Sequence, residues 1–144
     1  MVDVSLIVYK IKGIDLVNKI KRQGNLQVGN TFGFNVAYTP DNTRAVAELI
    51  DSVQMVDHPE EFHLDLTIEG IFEITGIEDN ESKKDAHIMC YDVLFPYANQ
   101  IVTQLVTSCG MAGLVFKKIP LQRDRIQFGQ KEQSDKITTF PGNE

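Results

Sequence analysis

The chain has 144 residues, 42% hydrophobic and 24% charged, which suits one ordinary globular domain with its own core. Its formal charge of −6 is uneven: residues 1–116 hold 8 basic and 16 acidic side chains, residues 117–144 hold 6 and 4. An acidic body repels phosphate backbones and argues against nucleic acid as a partner. Two cysteines, Cys90 and Cys109, make no disulfide framework. No apolar run reaches the length of a membrane span, and no basic-then-apolar leader opens the chain, so a cytoplasmic protein that does not insert into membranes is expected.

Val2 to Ile20 is rich in Val, Ile and Leu and reads as a strand bent at Gly13, followed by a basic loop. From Leu26 to Tyr38 the apolar residues favour even positions, the period of a half-buried strand. Thr39-Pro40-Asp41-Asn42 is a turn. Thr43 to Val56 carries two patterns. Ala45, Val46, Leu49, Ile50, Val53 and Val56 fit one face of a helix, whereas Ala45, Ala47, Leu49, Val53 and Met55 fit a strand; local pattern favours the helix. Glu61 to Thr75 is the clearest strand, with Phe62, Leu64, Leu66, Ile68, Gly70, Phe72 and Ile74 on one side and polar residues plus Ile71 on the other. Such alternation predicts an antiparallel sheet covered on one face. Residues 78–85, EDNESKKD, read as a charged loop.

Pro96 to Cys109 is the expected cover. Pro96 suits the first helical position and Gly110 the position just past the end. Tyr97, Ala98, Ile101, Val102, Leu105, Val106 and Cys109 form an apolar stripe. The other side, including Asn99, Gln100, Thr103, Gln104 and Thr107, is polar but uncharged, unlike an ordinary surface helix. Those five residues are therefore the candidate oligomer interface. Met111 to Leu121 is apolar. Residues 122–136 suit a short polar helix, weakened by about 1 kcal/mol at Gly129, and 137–144 reads as a frayed tail of a single domain spanning 1–144.

The search for chemistry returns little. There is no Gly-rich phosphate loop and no Gly-x-Ser-x-Gly elbow. His87 and Cys90 have the spacing of half a metal site, without a second pair. His63 and Asp65 share the wet side of a strand, as polar residues on sheets routinely do. Neither cysteine has a basic sequence neighbour to lower its thiol pKa. The expectation is a protein that is not an enzyme, with no cofactor and no metal. What remains is apolar surface. Ile71, Met89, Tyr91, Phe95, Tyr97, Met111, Leu114 and Phe116 are the candidate groove for flexible apolar partners.

Gly70-Ile71-Phe72-Glu73-Ile74-Thr75-Gly76-Ile77, then Ala86-His87, Cys90 and Leu94-Phe95-Pro96-Tyr97-Ala98, resemble the SecB export chaperones in order and spacing. The resemblance spans about residues 69–110. It implies an α+β fold, a four-stranded antiparallel sheet with one long helix and a short C-terminal helix on one face, assembled as a dimer of dimers. It also implies that 43–56 is a strand, and that the function is ATP-independent holding of unfolded polypeptides in surface grooves during protein export. Clients would be unfolded preproteins, with the SecA motor as a further partner. Asp65 and Glu69 are the candidate docking positions for that motor. The acidic pair of the family's first strand is not matched; Asp15 is nearby among Lys10, Lys12 and Lys19. The stretch after the helix also differs, reading Leu114 to Leu121. These departures fit a divergent member with a dedicated client, such as an antitoxin in a toxin–antitoxin system. Two other classes stay open, an oligomeric binding module and a hot-dog-like thioesterase, although in the latter fold the helix comes early in the chain.

Overall fold

In the computed structural model, which describes residues 1–21, 25–111, 113–128 and 132–141, every period-two stretch becomes a strand. The elements are β1 (Asp3–Asn18), β2 (Asn25–Tyr38), β3 (Arg44–Met55), β4 (Phe62–Thr75), α1 (Asn80–Ser108), a single 3₁₀ turn (Arg123–Arg125) and β5 (Glu132–Pro141). The sheet is antiparallel throughout, in the order β1-β4-β3-β2-β5. The four expected strands and the long helix on one face are as the sequence indicated. A fifth strand, on the outer edge of β2, was not expected.

Residues 43–56, helical by local pattern, form β3 because both of its edges are taken. Arg44 to Gln54 pair with β4, and Ala45 to Met55 pair with β2. A helix there would forfeit both ladders, and tertiary pairing outweighs a propensity difference of a few tenths of a kcal/mol per residue.

The helix begins far earlier than Pro96. Asp79 caps it: its carboxylate accepts from Ser82 N at 2.8 Å, and Ser82 Oγ accepts from Asp79 N at 2.9 Å. Hydrogen bonds that Ser82 donates to the Asp79 carboxylate hold it below its usual pKa, and the reciprocal cap makes residues 80–85 the first turns of α1. Pro96 thus lies inside α1. It cannot donate to the carbonyl of Asp92, and both residues lie on the exposed side of the helix. Gly110 ends the helix with φ 93°, as expected.

The short C-terminal helix is a correction. Residues 123–125 make one 3₁₀ turn and 132–141 make β5, so the helix reading of 122–136 fails where it is described. Five residues pair β5 with β2 within the stretch expected to fray, 137–141; residues 142–144 lie outside the described part. Between α1 and the 3₁₀ turn, the chain returns as a strap along the helix. Tyr91 Oη donates to Ile119 O at 2.8 Å, Lys118 Nζ reaches Asp92 Oδ1 at 2.7 Å, and Arg123 pairs with Glu81 and Asp85.

The core lies between α1 and the sheet. Phe62, Leu64, Leu66, Ile68, Phe72 and Ile74 of β4 meet Leu94, Phe95, Ala98, Val102 and Val106 of α1. Each large side chain fully buried in this way contributes about 1.5–3 kcal/mol. One acid interrupts the layer. Asp51 of β3 is buried and accepts from Asn30 Nδ2 at 2.7 Å, while Asp51 Oδ2 and Asn30 Oδ1 have no hydrogen-bond partner among the described residues. Burial pushes the Asp51 carboxyl up to about 7, against the pull of the Asn30 hydrogen bond.

An unfolded chain returns Asp51 to about 3.8. The folded state therefore holds the proton more tightly, and this stabilisation, complete below 3.8, is lost as pH rises through about 7. Asp51→Asn, an uncharged isostere that still pairs with Asn30, should raise the melting temperature more at pH 8 than at pH 5. Equal shifts at the two values in thermal melts would contradict the assignment.

Candidate functional site

The candidate surface starts from β1, an edge strand that extends past the cover of α1. Strand partners opposite one another point to the same side of a sheet. Leu6 is opposite Phe72, Tyr9 opposite Gly70, Ile11 opposite Ile68, Ile14 opposite Leu66 and Leu16 opposite Leu64, so all five lie on the helix side. Simple alternation could not give that series. Register shifts between Leu6 and Val8 and between Ile11 and Gly13 switch the parity twice. The two bulges keep one apolar row aimed the same way along the strand.

That row is not fully covered. Tyr9, Ile11, Ile14 and Leu16 remain between 36% and 46% exposed. Tyr9 packs on Tyr97 of α1 with ring centroids 4.5 Å apart. Beside this pair a shallow cleft of about 340 Å³ is lined by Tyr9, Ile14, Gln100, Ile101, Gln104 and Leu105. An exposed apolar strip flanked by polar groups suits protein contact better than solvent. A second, smaller apolar group lies on the opposite side of the sheet, where Val8, Ile71 and Val46 are consecutive rung partners across three strands, all exposed.

Among the eight groove candidates, Ile71 and Tyr97 are exposed and Met89 is half-buried. Tyr91, Phe95, Met111, Leu114 and Phe116 are core, each at most 5% exposed. The reason is the extra length of α1 and the strap, which enclose them: Tyr91 packs against Phe34, and Phe95 against Phe32. Of the interface candidates, Gln100, Gln104 and Thr107 are exposed, and Asn99 and Thr103 are half-buried. Gln100 and Gln104 share the cleft with Ile101 and Leu105, so the two sets of candidates merge into one surface. Asn99 Oδ1 is buried without a hydrogen-bond partner among the described residues. The β1 residues of the strip are not legible in the sequence, because register shifts make their alternation irregular; the excess of apolar residues on this strand is the one signal the sequence carries.

Asp65 and Glu69 lie on the outer face of β4. Glu69 is within 3.8 Å of Lys10 Nζ and 3.6 Å of Lys12 Nζ, and Lys12 also reaches Glu48 at 2.9 Å. Asp65 is opposite Asp15, with His63 alongside; His63 Nε2 is 3.2 Å from Asp15 Oδ2. His87 is buried under Tyr38, whose hydroxyl is 3.2 Å from its Nδ1, and beside Phe34 and Phe128. Burial pushes the neighbouring Cys90 thiol up to about 12, which keeps it protonated and unreactive. No helix among the described residues is long and apolar enough to cross a membrane.

A family model described as preprotein translocase subunit SecB matches residues 17–127. The protein-export protein SecB of Dichelobacter nodosus is 30% identical over 81 residues, 56% of this chain and 50% of that protein. SecB of Orientia tsutsugamushi strain Boryong is 28% identical over 80 residues, covering 56% and 46%. The chain thus spans about half the length of these curated relatives. Among solved structures, the Mycobacterium tuberculosis Rv1957 SecB-like chaperone, in complex with a ChAD peptide from the Rv1956 HigA1 antitoxin, superposes with a TM-score of 0.60. It is 14% identical and the match covers 81% of this chain and 90% of that one, so it speaks for the fold.

The strip itself can be tested. Tyr9→Ser combined with Ile14→Ser should leave the far-ultraviolet circular dichroism unchanged, because both side chains are already substantially exposed. Fluorescence of an apolar dye such as ANS should fall with the pair. Undiminished dye binding would show that the accessible apolar surface lies elsewhere.

Proposed function

We propose a chaperone function for this protein, starting from the fact that the chain belongs to the SecB family. It acts as an ATP-independent holdase that keeps unfolded polypeptides from aggregating by covering their apolar segments. The observation that carries this is the row of exposed apolar residues on the edge strand β1, Tyr9, Ile11, Ile14 and Leu16. Apolar surface of this kind, supplied largely by an edge strand, can accept many sequences because it reads no particular side chain.

The client is an unfolded preprotein or, as in the M. tuberculosis neighbour, a segment of an antitoxin. A chaperone that receives chains before export works in the cytoplasm, and we place this one there. The reading asks for no catalytic residue. Docking on SecA through Asp65 and Glu69 is the less favoured part, because Lys10 and Lys12 neutralise Glu69. Self-assembly completes the reading. The uncharged flank of α1, with Gln100, Gln104 and Thr107, meets a second copy, and two such pairs form a tetramer of four 16.2 kDa chains. An oligomeric module that recognises one folded partner is the competing reading.

At stoichiometric amounts and without nucleotide, the protein should suppress light scattering from a chemically denatured client diluted into buffer. Failure at several-fold excess, together with binding to a folded partner, would favour the competing reading. Gln104→Lys should leave the protomer folded and lower the mass seen by light scattering below four chains, because like charges would then oppose each other across the interface. An unchanged mass would place the contact elsewhere.

A further inference from the structure

β5 differs from the rest of the sheet in two ways. It lies beyond the matched family region, which ends at residue 127. Its only substantial neighbour among the described residues is β2, whereas α1 packs on β1, β3 and β4. The rungs run from Asn25 opposite Pro141 to Phe34 opposite Glu132. A strand held by one ladder at a sheet edge opens at a lower free-energy cost than the core it borders.

Opening would bare the backbone donors and acceptors of β2 over residues 25–34, next to Leu26, Val28, Phe32 and Phe34.

We propose that β5 is an internal stand-in for a client: an extended client segment displaces β5 and pairs with β2 along residues 25–34. This rests on the client-binding reading above and adds a second mode of capture to the apolar strip. Recognition is by main-chain hydrogen bonds, which tolerate sequence variation, with alternate client side chains meeting the two sides of the sheet. The 16 acidic against 8 basic residues of positions 1–116 disfavour strongly acidic segments. The competition with β5 lowers apparent affinity by the fraction of time the edge is closed.

The test locks the strand in the full chain. Thr31 and Asp135 are rung partners, and the Cα separation of about 4.5–5.5 Å in antiparallel rungs is within reach of a disulfide. Thr31→Cys with Asp135→Cys is oxidised, the bridge is confirmed by mass mapping, and binding of fluorescently labelled, carboxymethylated α-lactalbumin, a permanently unfolded client, is measured. The oxidised form should bind roughly tenfold more weakly or worse, and the reduced form like wild type. Equal affinity in both forms overturns this proposal and leaves the holdase reading standing; no binding by either form, or by wild type, overturns both. Successive N–H groups of a strand point alternately toward and away from its neighbour, so Ile137→Pro and Thr138→Pro form a matched pair. The one that removes a rung should tighten client binding and the other should do so less. No tightening by either, or a doubled mass without client, which would make the edge a contact between copies of this chain, overturns the proposal.

Discussion

The contact between the helix side of β4 and the middle of α1 governs the rest of the molecule. Seven alternate positions from Phe62 to Ile74 are turned toward the helix, and all are buried. Gly70 is what lets the layers close. A Cβ there would stand 3.0 Å from Leu94 Cδ1 and 3.1 Å from Leu6 Cδ1, tighter than ordinary packing. Leu94 of α1 and Leu6 of β1 thus converge over a position without a side chain. Cores packed at crystal density transmit such a constraint to their neighbours, here to the register of β1 and the axial placement of α1.

Because α1 packs on β1, β4 and β3 and makes no comparable contact with β2 among the described residues, the flanks of the sheet are covered by different means. On the β2 side, the strap of residues 111–128 supplies Met111, Leu114, Phe116 and Ile126, and is tied to α1 by Tyr91, Asp92, Glu81 and Asp85. On the β1 side nothing comparable among the described residues covers Tyr9, Ile11, Ile14 and Leu16. Edge strands are ordinarily blunted by charge, bulges or a covering loop. β1 has bulges and Lys10 and Lys12, but its bulges serve to keep the apolar row on the helix side. An exposed apolar strip of this kind suits protein contact better than solvent.

Charge is arranged differently on the two faces. The outer face carries Glu48, Glu69, Lys10 and Lys12 as cross-strand pairs in solvent, worth little individually. The inner face carries Asp51, whose carboxylate among the described residues accepts one hydrogen bond, from Asn30. Burying an ionised carboxylate with one donor is costly, so burial favours the protonated form and pushes the carboxyl up to about 7. Tyr91, close enough to feel the Asp51 charge, is itself held protonated by burial first and that charge second.

By itself the sequence determined the elements whose pattern is set by one covered face. Those are the strict alternation of Phe62 to Thr75, the period of Leu26 to Tyr38, and the Ala98, Val102 and Val106 stripe of the helix. The Gly70 to Ala98 motif carried the family, and with it the expectation of strand at 43–56. Tertiary structure decided whatever needed a partner distant in sequence. The α1 start at Asn80 depends on a reciprocal cap that a charged stretch conceals, and Pro96 falls inside the helix on its exposed side. Met111, Leu114 and Phe116 went inside because the strap folds back along a helix longer than Pro96 to Cys109. The apolar strip on β1 exists only through two register shifts against β4, and β5 only through its ladder with β2. Periodicity reports which side of an element is apolar; whether that side is then buried depends on where the rest of the chain comes to lie.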